Sequence, residues 1–340
     1  MLTTKDNNDS LIIPSATEMI YYTYDWNFQL ECESKILFCQ FIDDDDDKNE
    51  NNNNDNDNDK DKNEQQQQNK PRRQTVHVCL DRTVLHAQGG GQPTDIGTLV
   101  IDSNNNDEGG AGRRTEIVIT KVLLDRTTGV ATHMGHIDNY IKNDYDDDKN
   151  NNIKPTTITA RSSNMIGQKV KVIVDSNNRK ILSECHTAGH VVDMAMSKVF
   201  DDDNIMPPTK AYHFLDGPYV EYKGSISINE RKDILTKLQI IFQQLVDDDI
   251  ATEICNVSLS EAEIICHEVA DKSYFQLTDQ FKNDTDIVRI VRVAGWPCPC
   301  GGTHVKSTGE LKPNSWGIIG FKCKKGVVRV KYGQQQQKEI

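Results

Sequence analysis

Residues 181–200 read ILSECHTAGHVVDMAMSKVF, a stretch that patterns as one α-helix and divides the chain into two unlike halves. On its N-terminal side the folded sequence is strand-rich. Val76–Val84 (VHVCLDRTV) and Ile117–Leu124 (IVITKVLL) are β-branched runs bounded by Gly and Asp, as strands are. On its C-terminal side the pattern is mixed. Ile228–Val246 sets Ile234, Leu235, Leu238, Ile241, Phe242 and Leu245 on one helical face. Ser260 and Glu263 have the spacing of a capping box and predict a further helix start. Ile287–Val293, Gly317–Cys323 and Val327–Tyr332 return to strand character. Segregated strands and helices of this kind imply an α+β fold. The expected organisation is a small β-barrel-like N-terminal domain over 1–153, an α+β domain over 154–333 with its boundary near Lys154, and a polar tail over 334–340.

Four tracts interrupt this pattern. Asp43–Asn69 is almost wholly Asp, Asn, Glu, Gln and Lys, and predicts a disordered insertion at about 43–70. Ser103–Gly112, Asp144–Asn152 and Gln334–Gln337 read as expanded surface loops and a loose tail. Charge concentrates in two of them. Asp43–Lys70 carries a net −7 and Asp144–Asn152 a net −3, so the remainder of a chain of formal charge −13 is near neutral. A local basic surface is therefore compatible with the acidic total. Lys322, Lys324, Lys325, Arg329 and Lys331, interleaved with Phe321 and Tyr332, form one such cluster, which fits either a phosphate-tracking strand pair or a solvated strand face. The nine cysteines are odd in number and irregularly spaced, which argues against a paired disulfide framework and for a reducing, cytoplasmic compartment. No apolar run approaches bilayer-spanning length, so no membrane partner is expected.

The chemistry lies in two half-sites. His186 and His190 stand four apart on the quoted helix and so share a face. Alone, that spacing often marks no more than a polar face. The second half-site is Cys300-Gly-Gly-Thr-His304, in which a flexible glycine pair lets a thiolate and an imidazole face one ion. Three imidazoles and a thiolate suit tetrahedral zinc, one ion per chain, and not the oxygen-seeking magnesium or calcium. A closed zinc site that only holds the fold uses the same four ligands. Cys298 is a poorer ligand candidate, because the C-x-x-x-H spacing belongs to Cys300. Cys185, on another helix face, reads as core, and His133, His136, His213 and His267 have no spaced partner. Asp95 reads as a turn cap.

Three motifs in order, Leu80–Gly97 (LDRTVLHAQGGGQPTDIG), His186–His190 (HTAGH) and Cys298–Thr308 (CPCGGTHVKST), resemble the editing domain shared by alanyl-tRNA synthetases and the free-standing alanyl-tRNA editing proteins. Lys210–Tyr222 (KAYHFLDGPYVEY) is similar to a block found in the free-standing members. The resemblance spans nearly all of the chain outside the polar tracts. Leu85 and His86 depart from it, since the family usually has an aromatic pair there.

The resemblance implies a zinc-dependent aminoacyl-tRNA deacylase acting in trans on tRNA(Ala) mischarged with serine, and secondarily with glycine. Its partner is the acceptor end of mischarged tRNA, not DNA. Such an enzyme answers a physical need, because a pocket shaped for a small apolar side chain rejects an added hydroxyl only about a hundredfold. It further implies that the glycine-rich loop lies beside the metal, with Gln92 and Thr83 contacting or orienting substrate, and with Gly89, Gly90, Gly91 and Thr303 lining its path. The alternatives are a tRNA-binding zinc module without hydrolysis, and editing of Ser-tRNA(Thr), which the GGGQ sequence disfavours.

Overall fold

The computed structural model describes residues 14–42, 73–102, 114–138, 164–200, 206–268 and 287–335, with the short pieces 4–5, 11–12 and 162. The Asp43–Asn69, Ser103–Gly112 and Asp144–Asn152 tracts, the expected boundary at Lys154 and Gln336–Gln337 lie outside these residues. The chain forms two compact units. One comprises 1–18, 31–87 and 95–174, and the other 19–30, 88–94 and 175–340.

The first unit is a closed six-stranded barrel. Its strands are β1 (Glu31–Ile42), β2 (Gln74–Leu80), β3 (Gly97–Asp102), β4 (Arg114–Asp125), β5 (Val130–Ile137) and β6 (Lys169–Val174), ordered β6-β1-β2-β5-β4-β3 with every neighbour antiparallel. Closure leaves no edge strand. Alternation sends Cys32, Ser34 and Ile36 of β1 and Val170, Val172 and Val174 of β6 inward. The run expected as one strand over Val76–Val84 is broken. β2 stops at Leu80, and Arg82–Thr83 is a separate short strand. Asp81 causes the break, because its Oδ1 accepts from the Lys35 and Arg82 N–H groups and from Ser34 Oγ, each at 2.8 Å. His86 and Asp95 tie the glycine-rich excursion at its base, the His86 N–H donating to Asp95 Oδ2 at 2.7 Å and the Asp95 N–H to His86 O at 3.0 Å. Leu85 and His86 are both buried.

The second unit is built around α1 (Ser176–Val199), capped by Asp175, whose carboxylate accepts from the Asn178 N–H at 2.9 Å. Leu182 through Asp193 are buried on every side, so α1 runs through the core instead of lying on it. Around it stand a four-stranded sheet ordered β7-β8-β13-β12 and a three-stranded sheet ordered β9-β10-β11. These strands are β7 (Pro208–Tyr212), β8 (Tyr219–Lys223), β9 (Glu253–Ser258), β10 (Ile287–Val293), β11 (Trp296–Pro299), β12 (Trp316–Lys324) and β13 (Val327–Gln334). α2 (Arg231–Asp247) buries Leu238, Phe242 and Leu245 in the apolar core it shares with α1 and β12. It starts three residues later than the apolar run suggested, leaving Ile228 exposed. α3 (Leu259–His267) is capped by Ser258 and Glu261, not by Ser260 and Glu263. Ser258 ends β9 in extended backbone, the conformation a cap needs. No helix among the described residues is long and apolar enough to cross a membrane.

Candidate metal centre

The second unit gathers His186, His190, Cys300 and His304, with one donor atom from each lying within 4.8 Å of all the others. Cys300 Sγ is 3.4 Å from both His186 Nε2 and His304 Nε2. Tetrahedral zinc, with bonds of about 2.0–2.3 Å to N and S, spaces its donors by roughly 3.3–3.8 Å. The two Cys300 pairs already have that spacing, and the full set spans no more than 4.8 Å. His190 supplies a second sign: it is buried, and among the described residues neither of its ring nitrogens has a hydrogen-bond partner. A buried imidazole so placed is costly unless an ion takes its lone pair. Burial holds the His190 imidazolium off, its pKa falling to about 4, with the Arg289 charge acting the same way. The ring is thus in the neutral form that a metal requires.

Surrounding groups fix the orientation of these side chains. The Thr303 N–H donates to Gln92 Oε1 at 2.9 Å, and Gln92 Nε2 donates to Thr303 Oγ1 at 2.9 Å, so the amide cannot be flipped. His186 Nδ1, 2.7 Å from Gln92 Oε1, must therefore carry its proton, leaving Nε2 with the free lone pair. Thr303 is fully buried and shares a further hydrogen bond with Ser183 at 2.8 Å. His304 Nδ1 shares a hydrogen bond with Thr187 Oγ1 at 3.3 Å. His190 Nδ1 is 3.7 Å from Asp193 Oδ2, and the other Asp193 oxygen accepts from Tyr222 Oη at 2.5 Å. Burial raises the Asp193 pKa to about 7, against the opposing effect of the Tyr222 hydroxyl.

The glycine-rich loop belongs to this unit. Gly89 and Gln92 close a tight turn through reciprocal backbone hydrogen bonds of 3.2 and 2.9 Å. Gly90 and Gly91 occupy its centre at φ 57° and 78°, the left-handed region that L side chains avoid. A Cβ on Gly91 would also stand 2.7 Å from Ala211 O. The turn is pinned where the His213 N–H donates to Gly91 O at 2.8 Å. Gly302 is equally constrained, since a Cβ there would strike the His186 ring and lie 2.6 Å from Gln92 Oε1. Thr83 lies in the first unit. Its hydroxyl donates to His133 Nε2 at 2.9 Å and accepts from the Leu85 N–H at 3.1 Å.

Sequence reasoning passed over Asp193 and three further groups. His213 is buried, stacks on His186 with centroids 4.1 Å apart, and shares a hydrogen bond between its Nδ1 and Tyr332 Oη at 2.5 Å. Arg289 is buried beside Cys300, donating to Cys300 O and, at 2.8 Å, to Tyr22 O. Burial pushes the Cys300 thiol up, while the Arg289 charge and the Gly302 N–H pull it down. Asn27 clasps His304, donating to its carbonyl at 3.0 Å and accepting from its N–H at 3.3 Å. The only available signals were an H-F-L-D-G-P-Y block for His213 and an arginine inside an apolar strand for Arg289. Cys298 stands outside the cluster, its thiol directed at Pro299 O at 3.5 Å.

Residues 288–315, which contain Cys300 and His304, match the family described as the threonyl and alanyl tRNA synthetase second additional domain. Over 240 residues, 70% of this chain, the sequence is 29% identical to the alanine–tRNA ligase of Prochlorococcus marinus strain AS9601 and covers 22% of that protein. It is 24% identical over 243 residues to the alanyl-tRNA editing protein AlaX-L of Pyrococcus horikoshii, covering 47% of it. It is 27% identical over 237 residues to AlaX-M of Methanosarcina acetivorans, covering 80% of it. The chain is thus homologous to free-standing alanyl-tRNA editing proteins and to alanine–tRNA ligase. It spans about a fifth of the ligase and about half of AlaX-L.

Proposed function

We propose that the protein is an editing hydrolase that deacylates tRNA(Ala) mischarged with serine, and secondarily with glycine, at a single zinc ion. The observation that carries this reading is the convergence of His186, His190, Cys300 and His304, with one donor atom of each within 4.8 Å of the others and Cys300 3.4 Å from two of the imidazoles. It is supported by homology to proteins named for alanyl-tRNA editing. The donor set of three imidazoles and one thiolate selects zinc over harder cations. Zinc, when bound, supplies positive charge that can polarise an ester carbonyl or anchor a substrate amine.

The chain's own residues hold and orient. Gln92 and Thr303 act through His186, fixing its Nδ1–H tautomer, and Gly89, Gly90 and Gly91 shape the turn that delivers Gln92. Thr83 is assigned an orienting role through His133 and the Leu85 N–H. Four protein donors are enough to fill a tetrahedral shell, which favours a second reading: a module that binds tRNA without cleaving it. Release of labelled serine from Ser-tRNA(Ala), with Ala-tRNA(Ala) and Ser-tRNA(Thr) alongside, decides between them. Serine release from the alanine tRNA alone, lost in Cys300→Ala at equal folded content, supports the hydrolase. No release by folded, zinc-loaded protein leaves the binding module.

A further inference from the structure

The four-stranded sheet of the second unit has two chemically different faces. Val220 and Tyr222 of β8 and Val328, Val330 and Tyr332 of β13 point into the core. Strict alternation sends Tyr219, Glu221 and Lys223 of β8, and Arg329 and Lys331 of β13, to the other side. The pairing Lys322↔Arg329 adds Lys322 and then Lys324 from β12, while Lys210↔Glu221 and Tyr212↔Tyr219 add Lys210 and Tyr212 from β7. Five lysines thus share the strands of this face with one acid, Glu221, and a second acid, Asp216, stands at its edge, accepting from Tyr212 Oη at 3.0 Å, in a chain of net charge −13. Glu221 is already neutralised, since Arg329 meets it at 2.6 Å.

The same face carries an aromatic column. Arg329 lies 4.2 Å over the Tyr219 ring, Tyr219 stacks with Tyr212 at 5.4 Å, and Tyr212 with Phe214 at 4.5 Å and 12°. Among the described residues the half-buried Phe214 is the last ring of the column, the place where a further flat ring would extend the stack. A lysine-rich surface with stacked aromatics is the combination that binds single-stranded nucleic acid, with phosphates on the cations and bases on the rings. Its position ties it to the metal centre. Between the outward Tyr212 and Phe214 sits His213, buried and stacked on the ligand His186. One turn of chain therefore presents the column on one side and braces the metal site on the other.

We propose that this sheet face is the binding surface for the single-stranded 3′ end of the RNA, which it delivers toward the metal centre; the inference rests on the tRNA-ester reading above. The test is fluorescence anisotropy with an uncharged RNA hairpin copying the alanine tRNA acceptor stem, made with and without its single-stranded 3′ tail. Lys322→Glu/Lys324→Glu/Lys331→Glu should weaken binding at least tenfold and flatten the dependence of log affinity on log salt by about 0.7 for each phosphate left without its cation. Phe214→Ala should weaken the tailed hairpin by about fivefold or more and leave the blunt one alone. Bound metal per chain separates lost binding from lost folding, and if Phe214→Ala fails that check the lysine variant carries the test. The proposal is overturned if wild-type protein binds neither hairpin, if the lysine variant binds within twofold of wild type, or if anionic phospholipid vesicles compete the RNA away. Serine release measured in parallel keeps the two ideas apart. Release with lysine-independent binding sinks this surface alone, whereas lysine-dependent binding without release sinks only the hydrolase.

Discussion

Replacing Gly302 by alanine, with Gly301→Ala as its twin, tests the geometry of the metal centre at a single methyl group. Gly302 has no left-handed φ, so alanine meets no backbone penalty and the effect is purely steric. The new Cβ would collide with the His186 imidazole and lie 2.6 Å from Gln92 Oε1, where ordinary contact begins at 3.4 Å. Gln92 would have to recede by about 0.8 Å, the difference of those two distances, and His186 by more. Metal sites hold ligand distances to about 0.2 Å. Loss of an orienting partner alone typically costs 10- to 100-fold in metal affinity. Gly302→Ala should therefore bind zinc at least tenfold and up to about a hundredfold more weakly in competition with a chromophoric chelator. At Gly301 the nearest atom to a new Cβ is Tyr22 Oη at 3.4 Å, so Gly301→Ala should stay within about twofold of wild type. Equal zinc affinity for the two variants would refute the assigned ligand geometry. Melting curves in excess chelator measure the part of the clash felt without the ion, and zinc affinities are compared at equal folded content.

Gln92→Ala should lower zinc affinity by about tenfold or more, because it strips the acceptor from His186 Nδ1–H, while Gln92→Glu keeps an acceptor and should restore most of it; equal losses in both would show that orientation is not its role. Asp193→Ala and Tyr222→Phe should each weaken zinc binding and should not add in the double variant, since Tyr222 acts by holding Asp193 beside His190; strict additivity would separate them. The barrel should lose stability in acid. Burial lowers His133 to about 4, so the unfolded chain binds the proton first. The resulting stability is present above about pH 6.5 and is lost as pH falls toward 4, by about 3 kcal/mol. His133→Gln should flatten that part of the urea midpoint against pH, and an unchanged slope would assign the acid sensitivity elsewhere.

What the sequence revealed tracks how local each signal is. β10 coincides with the apolar run at Ile287–Val293, and α1 contains nearly the whole stretch read as helical, because both depend on neighbours in the chain. The capping box was misplaced by two residues because Ser258-x-x-Glu261 and Ser260-x-x-Glu263 overlap, and only the end of β9 chooses between them. The four residues of the cluster fall into two short motifs and were legible as a group for the same reason. Their supports were not. Asp193, Arg289, His213 and Asn27 are ordinary polar residues in sequence, and only the packing of distant elements makes each a neighbour of the cluster. Barrel closure is likewise a long-range property, since β6 pairs with both β1 and β3 across most of the first unit.

The clasp between Asn27 and His304 joins residues 277 positions apart, and Arg289 reaches back to Tyr22 from almost as far. Pairings so distant in the chain form late and slowly. On the ribosome, the segment that steadies His304 emerges long before the histidine it holds. A gene fragment encoding residues 175–340 would carry all four residues of the cluster and still lack this brace, and also Gln92. The second unit is a structural module without being a genetic one: cutting it out or splicing it into another protein would require two short upstream pieces to travel with it.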